Sequence, residues 1–108
     1  KGKCVYDNGK IFGDYKTWFD NGQLNVDYTC LKGGLIHGEY KVYFPTGQIE
    51  ILQYYDKGKM EGERREWFEN GVLATLINYE KDKLQGEGRE WFENGQLEMV
   101  HFFVDGKL

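Results

Sequence analysis

Proline occurs once in 108 residues, cysteine and histidine occur twice each, and no apolar run is long enough to span a bilayer as a helix. Each scarcity excludes something. Two cysteines, with no Cys-x-x-Cys spacing, make neither a disulfide framework nor a zinc site. The isolated His37 and His101 form no ligand cluster, so no metal is expected, and no cofactor either. Charge of one sign is also missing as a block. The 14 basic and 18 acidic residues give a net charge of −4, and no basic stripe stands free of carboxylates, so nucleic acid is not an expected partner. No secretory signal is written in these residues, and a targeting segment upstream of Lys1 stays open. No stretch of about ten residues has the amphipathic period of a helix, so no long helix is expected.

The chain does hold 15 glycines, eight tyrosines, seven phenylalanines and three tryptophans, arranged in a repeat. The units read GDYKTWFDNGQL from Gly13, GEYKVYFPTGQI from Gly38, GERREWFENGVL from Gly62 and GEGREWFENGQL from Gly86, at spacings of 25, 24 and 24 residues. A period of this size marks an array whose units cannot bury their apolar surface alone and must stack. Within a unit, Glu39-Tyr40-Lys41-Val42-Tyr43-Phe44 is rich in strand-forming residues, and Ile49-Glu50-Ile51 alternates with period two. Between such segments stand Asp20-Asn21-Gly22, Pro45-Thr46-Gly47, Glu69-Asn70-Gly71 and Glu93-Asn94-Gly95, which suit a type I turn closed by a residue at positive φ.

Looser turns at Asp7-Asn8-Gly9-Lys10, Asp56-Lys57-Gly58-Lys59 and Asp105-Gly106-Lys107 lead from unit to unit. Lys81-Asp82-Lys83 fills that place without glycine, and an extra residue falls near Leu31-Lys32-Gly33-Gly34, so this turn tolerates variation. The expected fold is all-β: an elongated, single-layer antiparallel meander of tandem hairpins with eight or nine strands. It forms one repeat domain over 1–108, with a partial unit 1–12 and units 13–37, 38–61, 62–85 and 86–108. Both ends look cut within a repeat, so exposed end strands make edge-to-edge self-association a further expectation.

The recurring Gly-[Asp/Glu]-x-[Lys/Arg]-x-[Trp/Tyr]-Phe-x-x-Gly-x-[Leu/Ile] resembles the MORN repeat, in the variant form found in many bacterial proteins. The leading glycines are Gly13, Gly38, Gly62 and Gly86; the core aromatics Phe19, Phe44, Phe68 and Phe92; the turn glycines Gly22, Gly47, Gly71 and Gly95. The resemblance implies a single-layer sheet of stacked hairpins and an interaction module with no shared catalytic residues. Some plant lipid kinases carry similar repeats beside their catalytic domain, but every kinase motif is missing here.

Cys4 and Cys30 lie about one repeat apart, hence about 9–10 Å in such a sheet, beyond the roughly 7 Å a disulfide allows. Two free thiols are expected, which fits a reducing compartment such as the cytoplasm.

Alternation along the first strand of each unit puts an acid, a base and an aromatic on one face: Asp14, Lys16, Trp18; Glu39, Lys41, Tyr43; Glu63, Arg65, Trp67; Glu87, Arg89, Trp91. Two readings stay open. The ladders neutralise each other on a solvated face, each exposed pair contributing about 0–1 kcal/mol. Alternatively Trp18, Tyr43, Trp67 and Trp91, rimmed by Arg65 and Arg89, are a partner-binding stripe, since Trp, Tyr and Arg dominate interfaces. Phe19, Phe44, Phe68 and Phe92 fall on the other face, and Leu24, Ile49, Leu73 and Leu97 recur on the second strands, as an expected core stripe. Arg64, Glu66 and Glu90 break the repeat, either as drift or as determinants of the partner.

No nucleophile motif or phosphate loop occurs. Gly86-Glu87-Gly88 arises from the repeat, and each leading acid has a base nearby, so an enzyme is not expected. The reading reached is a non-enzymatic protein-binding scaffold, antitoxin-like by resemblance, with the protein partner unknown. Its alternative is phospholipid-surface association, which the family resemblance implies and the net charge of −4 opposes.

Overall fold

Each unit spends its aromatic-rich segment on one strand and its aliphatic segment on the next, and a tight turn folds the second back on the first. The computed structural model describes residues 3–7, 10–31, 33–104 and 107, with side chains from residue 13 onward. Ten strands follow in order: β1 (Lys3–Asp7), β2 (Lys10–Trp18), β3 (Leu24–Cys30), β4 (Gly38–Tyr43), β5 (Ile49–Asp56), β6 (Lys59–Trp67), β7 (Leu73–Glu80), β8 (Lys83–Leu84), β9 (Gly86–Trp91) and β10 (Leu97–Phe103). They form one antiparallel sheet in the order β1-β2-β3-β4-β5-β6-β7-β9-β10, with β8 paired to β7. The two-residue β8 and β9 are one strand interrupted at Gln85, the counterpart of the unbroken β6. No helix occurs among the described residues. The expected meander is therefore what forms. Its Cα extents of 44 × 36 × 13 Å are those of a single layer.

The hairpin tips are built alike. Phe68 N–H donates to the Val72 carbonyl (2.9 Å) and Gly71 N–H to the Phe68 carbonyl (2.9 Å), and the same pairs recur at Phe19, Phe44 and Phe92. The turn glycine sits at φ 88° to 96° in all four units. At Gly71 an added Cβ would meet nothing within 4 Å, so the backbone conformation, not space, demands glycine there. Asn21, Asn70 and Asn94 each accept the N–H two residues on (2.9 Å). The amides of Asn21 and Asn70 also reach the next tip, donating to the Pro45 carbonyl (2.9 Å) and the Glu93 carbonyl (3.0 Å). Thr46 has no amide to donate; its hydroxyl accepts only from Gln48 N–H at 3.4 Å.

Just inside each tip the register slips by one residue. Glu66 pairs with Thr75 but Trp67 with Leu73, leaving Ala74 as the extra residue of a β-bulge. Asn25, Glu50 and Glu98 take the same place in the other hairpins. Directly paired residues share a face. The bulge therefore sets Leu24, Ile49, Leu73 and Leu97 beside Trp18, Tyr43, Trp67 and Trp91. A strict period of two would set each bulged residue opposite the aromatic instead.

The opposite edge carries the inter-unit turns, and they are tied together rather than loose. Gly58 N–H donates to the Ile36 carbonyl (2.7 Å), and Lys57 N–H to His37 Nδ1 (3.2 Å). Across the next interval Asp82 N–H donates to the Met60 carbonyl (2.9 Å) while Asp82 Oδ1 accepts Met60 N–H (2.7 Å). Asp82 stands at φ 70° and Lys81 at 51°, where glycine would be easier. The carboxylate bond explains how aspartate substitutes. The turns expected at Asp7-Asn8-Gly9-Lys10 and Asp105-Gly106-Lys107 run through residues 8, 9, 105 and 106, which lie outside the described set, as does the side chain of Cys4.

A core stripe of full burial does not form. Among the described residues Cys30 is the buried hydrophobic residue and Gln53 the buried polar one. Phe19, Phe44 and Phe68 are half-buried, as are Leu24, Ile49 and Leu73, while Phe92 and Leu97 are exposed on the last unit. The reason is architectural, since a sheet with no second layer can shield its side chains only by one another.

Candidate partner-binding face

The register carries one row straight across the sheet on a single face: Lys16, Asp27, Lys41, Leu52, Arg65, Leu76, Arg89 and Val100. Two residues toward the tips on the same face run Trp18, Tyr43, Trp67 and Trp91, interleaved with the bulge-aligned Leu24, Ile49, Leu73 and Leu97. Two residues the other way run Asp14, Glu39, Glu63 and Glu87. The predicted site residues thus come together as parallel rows, with Arg65 and Arg89 directly behind Trp67 and Trp91. The aromatic band, with its aliphatic neighbours, is the one apolar row that crosses this face from end to end. Trp18 is 38% exposed, and Tyr43, Trp67 and Trp91 are half-buried.

The bases do not face outward unpaired. Lys41 meets Glu39 at 3.1 Å and Arg65 meets Glu63 at 2.9 Å, and Arg89 Nε donates to the Glu87 carboxylate. In the first unit the pairing crosses strands instead, with Lys16 on Asp27 (2.8 Å) and the Thr29 hydroxyl donating to Asp14 (3.0 Å). The hydrogen bond to Glu39 holds the Lys41 ammonium above its ordinary pKa. Where β3 and β4 part below Asp27, a polar cleft of about 280 Å³ opens between Tyr28, Thr29, His37, Gly38 and Glu39. Its charges are committed to the pairs just described.

The tips beside the band differ. Asp20, Glu69 and Glu93 are exposed and form no ion pair among the described residues. They leave a line of uncompensated carboxylates, broken at Pro45, along one flank of the aromatic row.

The reverse face is built differently in its two halves. Tyr15, Tyr28, Tyr40 and Tyr55 follow one another with ring centroids 4.9, 5.1 and 5.8 Å apart. Burial pushes the Tyr55 hydroxyl to a raised pKa, with Tyr40 adding to it. Gln53 lies opposite both Tyr40 and Arg64, fully buried, its Nε2 donating to the Tyr54 carbonyl and its Oε1 without a partner. Beyond it Arg64 pairs with Glu66 at 2.7 Å, so two of the residues that break the repeat satisfy each other. Gly88 then lets the sheet close, because a Cβ there would stand 2.9 Å from Ile77 Cγ2 and 3.1 Å from Phe103 Cε2. Sequence reasoning passed over Gln53, although an amide in the place of Tyr28, Ile77 and His101 is a visible break in the repeat.

The model of the MORN repeat variant matches residues 36–57, 60–81 and 84–105, each match opening two residues ahead of a leading glycine. The chain belongs to the MORN repeat variant family. The unit from Gly13 lies outside the three matches, yet its β2–β3 hairpin has the same register and the same bulge as the matched MORN units. No curated protein matches the chain. MORN repeats are in general protein- or membrane-binding modules. Among the described residues no three His, Cys, Asp or Glu side chains are grouped to hold a metal, and no helix is long and apolar enough to cross a membrane.

Proposed function

We propose that this array is a non-enzymatic scaffold that binds a partner protein across the face bearing Trp18, Tyr43, Trp67 and Trp91. The observation that carries it is the uninterrupted apolar row on a sheet with no second layer, flanked by paired charge on one side and free carboxylates on the other. A partner laid there covers aromatic surface without stranding a charge, which is where interface energy concentrates. In the antitoxin-like version that the resemblance suggests, the partner is a toxin held inactive, and binding requires no chemistry of the array. Phospholipid association is the weaker reading, because on this face Lys16, Lys41, Arg65 and Arg89 are each engaged by a carboxylate, and the exposed Lys57, Lys59, Lys81 and Lys83 stand at the opposite edge, away from the aromatic row.

Affinity capture from cells tests the proposal, with the wild-type array and a Trp67→Ala/Trp91→Ala variant, shown to be folded by circular dichroism, as baits. A protein captured by the first and lost from the second supports it. Equal capture by both removes the aromatic face from the reading, and flotation of the array with anionic vesicles in place of capture favours lipid. Self-association through the edge strand β10, where Phe102 is 67% exposed and the following Val104 70%, is told apart by light scattering on the array alone.

A further inference from the structure

The periodicity of the aromatic row limits what can lie on it. Successive aromatics are two strands apart, about 9.6 Å at normal strand spacing, on a sheet flat enough to measure only 13 Å through. A linear ligand that meets every unit equally must present the same group at that interval. An α-helix repeats its apolar seam every seven residues, about 10.5 Å, and drifts roughly 0.9 Å per unit. An extended β-strand covers a similar distance in three residues, about 9.9 Å, but every third side chain alternates between faces, so it meets every second aromatic. A polyproline II helix advances about 9.3 Å in three residues with every third residue on the same side. Its drift is about 0.3 Å per unit, or about 1 Å across all four aromatics.

Chemistry agrees with spacing. Polyproline II segments dock on aromatic-lined surfaces, where the pyrrolidine ring packs against the aromatic side chain and the prefolded ligand loses little entropy. The three tryptophans supply indole N–H donors that suit the free carbonyls of such a backbone. The flank supplies polarity. Asp20, Glu69 and Glu93 stand beside the aromatics of the first, third and fourth units, exposed and without a base, with Pro45 in their place in the second. The rows behind the band set four bases against five acids, so they carry a single excess negative charge, at Asp14, and offer the ligand no free cation. A ligand with one edge on the aromatics therefore meets negative charge on its tip-facing edge.

Resting on the protein-binding reading above, we propose that the occupant is a proline-rich basic segment in the polyproline II conformation. It runs across the strands, with one proline per unit on Trp18, Tyr43, Trp67 and Trp91 and one lysine or arginine per unit toward Asp20, Glu69 and Glu93. The partner class is thus defined by a three-residue period, not by a fold.

The test uses isothermal titration calorimetry, whose signal does not depend on the tryptophans, of the whole array with four synthetic peptides of equal length: (Pro-Pro-Lys)4, (Pro-Pro-Glu)4, (Ala-Ala-Lys)4 and (Pro-Pro-Ala-Lys)3. The first is expected to bind at least tenfold more tightly than the other three. Glu69→Gln/Glu93→Gln, which lie in exposed turns and leave the strands intact, should weaken (Pro-Pro-Lys)4 severalfold, and Trp67→Ala/Trp91→Ala should abolish its binding. Equal binding of (Ala-Ala-Lys)4 overturns the proposal in favour of charge alone, and equal binding of the four-residue period overturns the spacing argument. If no peptide binds while a cellular protein is still captured in a tryptophan-dependent way, the polyproline inference is wrong and the binding face stands. Failure of both removes both.

Discussion

The two long edges of the array do the same work by different means. Along the tips, four turns of one design are joined by asparagine amides at two of the three intervals. Along the other edge an enlarged loop, a Lys57-Gly58 turn and a Lys81-Asp82 turn differ in length and sequence, yet each is bonded to its neighbour by backbone N–H donors, accepted by the Ile36 and Met60 carbonyls and by the His37, Asp82 and Glu61 side chains. Where the repeat is strict, one side chain serves every joint it is present for. Where the repeat is relaxed, the peptide groups serve, because every residue but proline carries a donor and an acceptor. Variation in letters at the inter-unit turns is therefore not variation in attachment.

Substitutions can break this contrast. The largest effect belongs to Gly71→Ala, which forces a side chain to φ 88° and should cost about 1–3 kcal/mol in urea unfolding followed by circular dichroism. On the other edge the same kind of strain is already tolerated, so Asp82→Ala should cost only the bond to Met60 N–H, about 1 kcal/mol. Comparing Asn70→Ala with Asn94→Ala isolates the joint between tips. Both lose the local turn bond, but Asn70 alone of the two donates to a following tip, and the difference should be about 0.5–1.5 kcal/mol. Thr46→Asn supplies the missing amide opposite the third tip and should raise the urea midpoint by a few tenths of a molar or less, about 0.5 kcal/mol.

The smallest effect separates both edges from the sheet between them. Tyr55 and Lys41 both have raised pKa values, Tyr55 first through burial and Lys41 first through its hydrogen bond to Glu39. A raised folded value means that the contribution is complete below the unfolded value, about pH 10 for both groups, and is lost as pH rises through the folded one. The melting temperature should hold up to about pH 10 and then fall, and Tyr55→Phe should blunt the fall. An alkaline loss unchanged in that variant would assign it elsewhere.

How much of this was legible follows from what a repeat can and cannot record. The four units, their tips and the rows of acid, base and aromatic were readable because each residue recurs at a fixed place and alternation fixes its face. The partnership of Leu24, Ile49, Leu73 and Leu97 with the aromatics was not, because a single bulged residue reverses parity while leaving the sequence pattern intact. Asp82 at positive φ was hidden for another reason. The acceptor that offsets its strain is satisfied by Met60, 22 residues away. Full burial of Gln53 depends on Tyr40 and Arg64 lying opposite it on both neighbouring strands, and that pairing only the folded register supplies.

One layer of strands also sets how the molecule responds to temperature. The heat-capacity change of unfolding comes from apolar surface newly exposed to water, about 12–15 cal/mol/K per residue in ordinary globular domains. Here nearly every side chain among the described residues already touches solvent in the folded state, so the change should fall below that range. A smaller heat-capacity change flattens the dependence of stability on temperature, and a chain of locally joined hairpins further spreads the transition. Cooling and mild warming should therefore alter the array's stability less than they alter that of a globular domain of equal length.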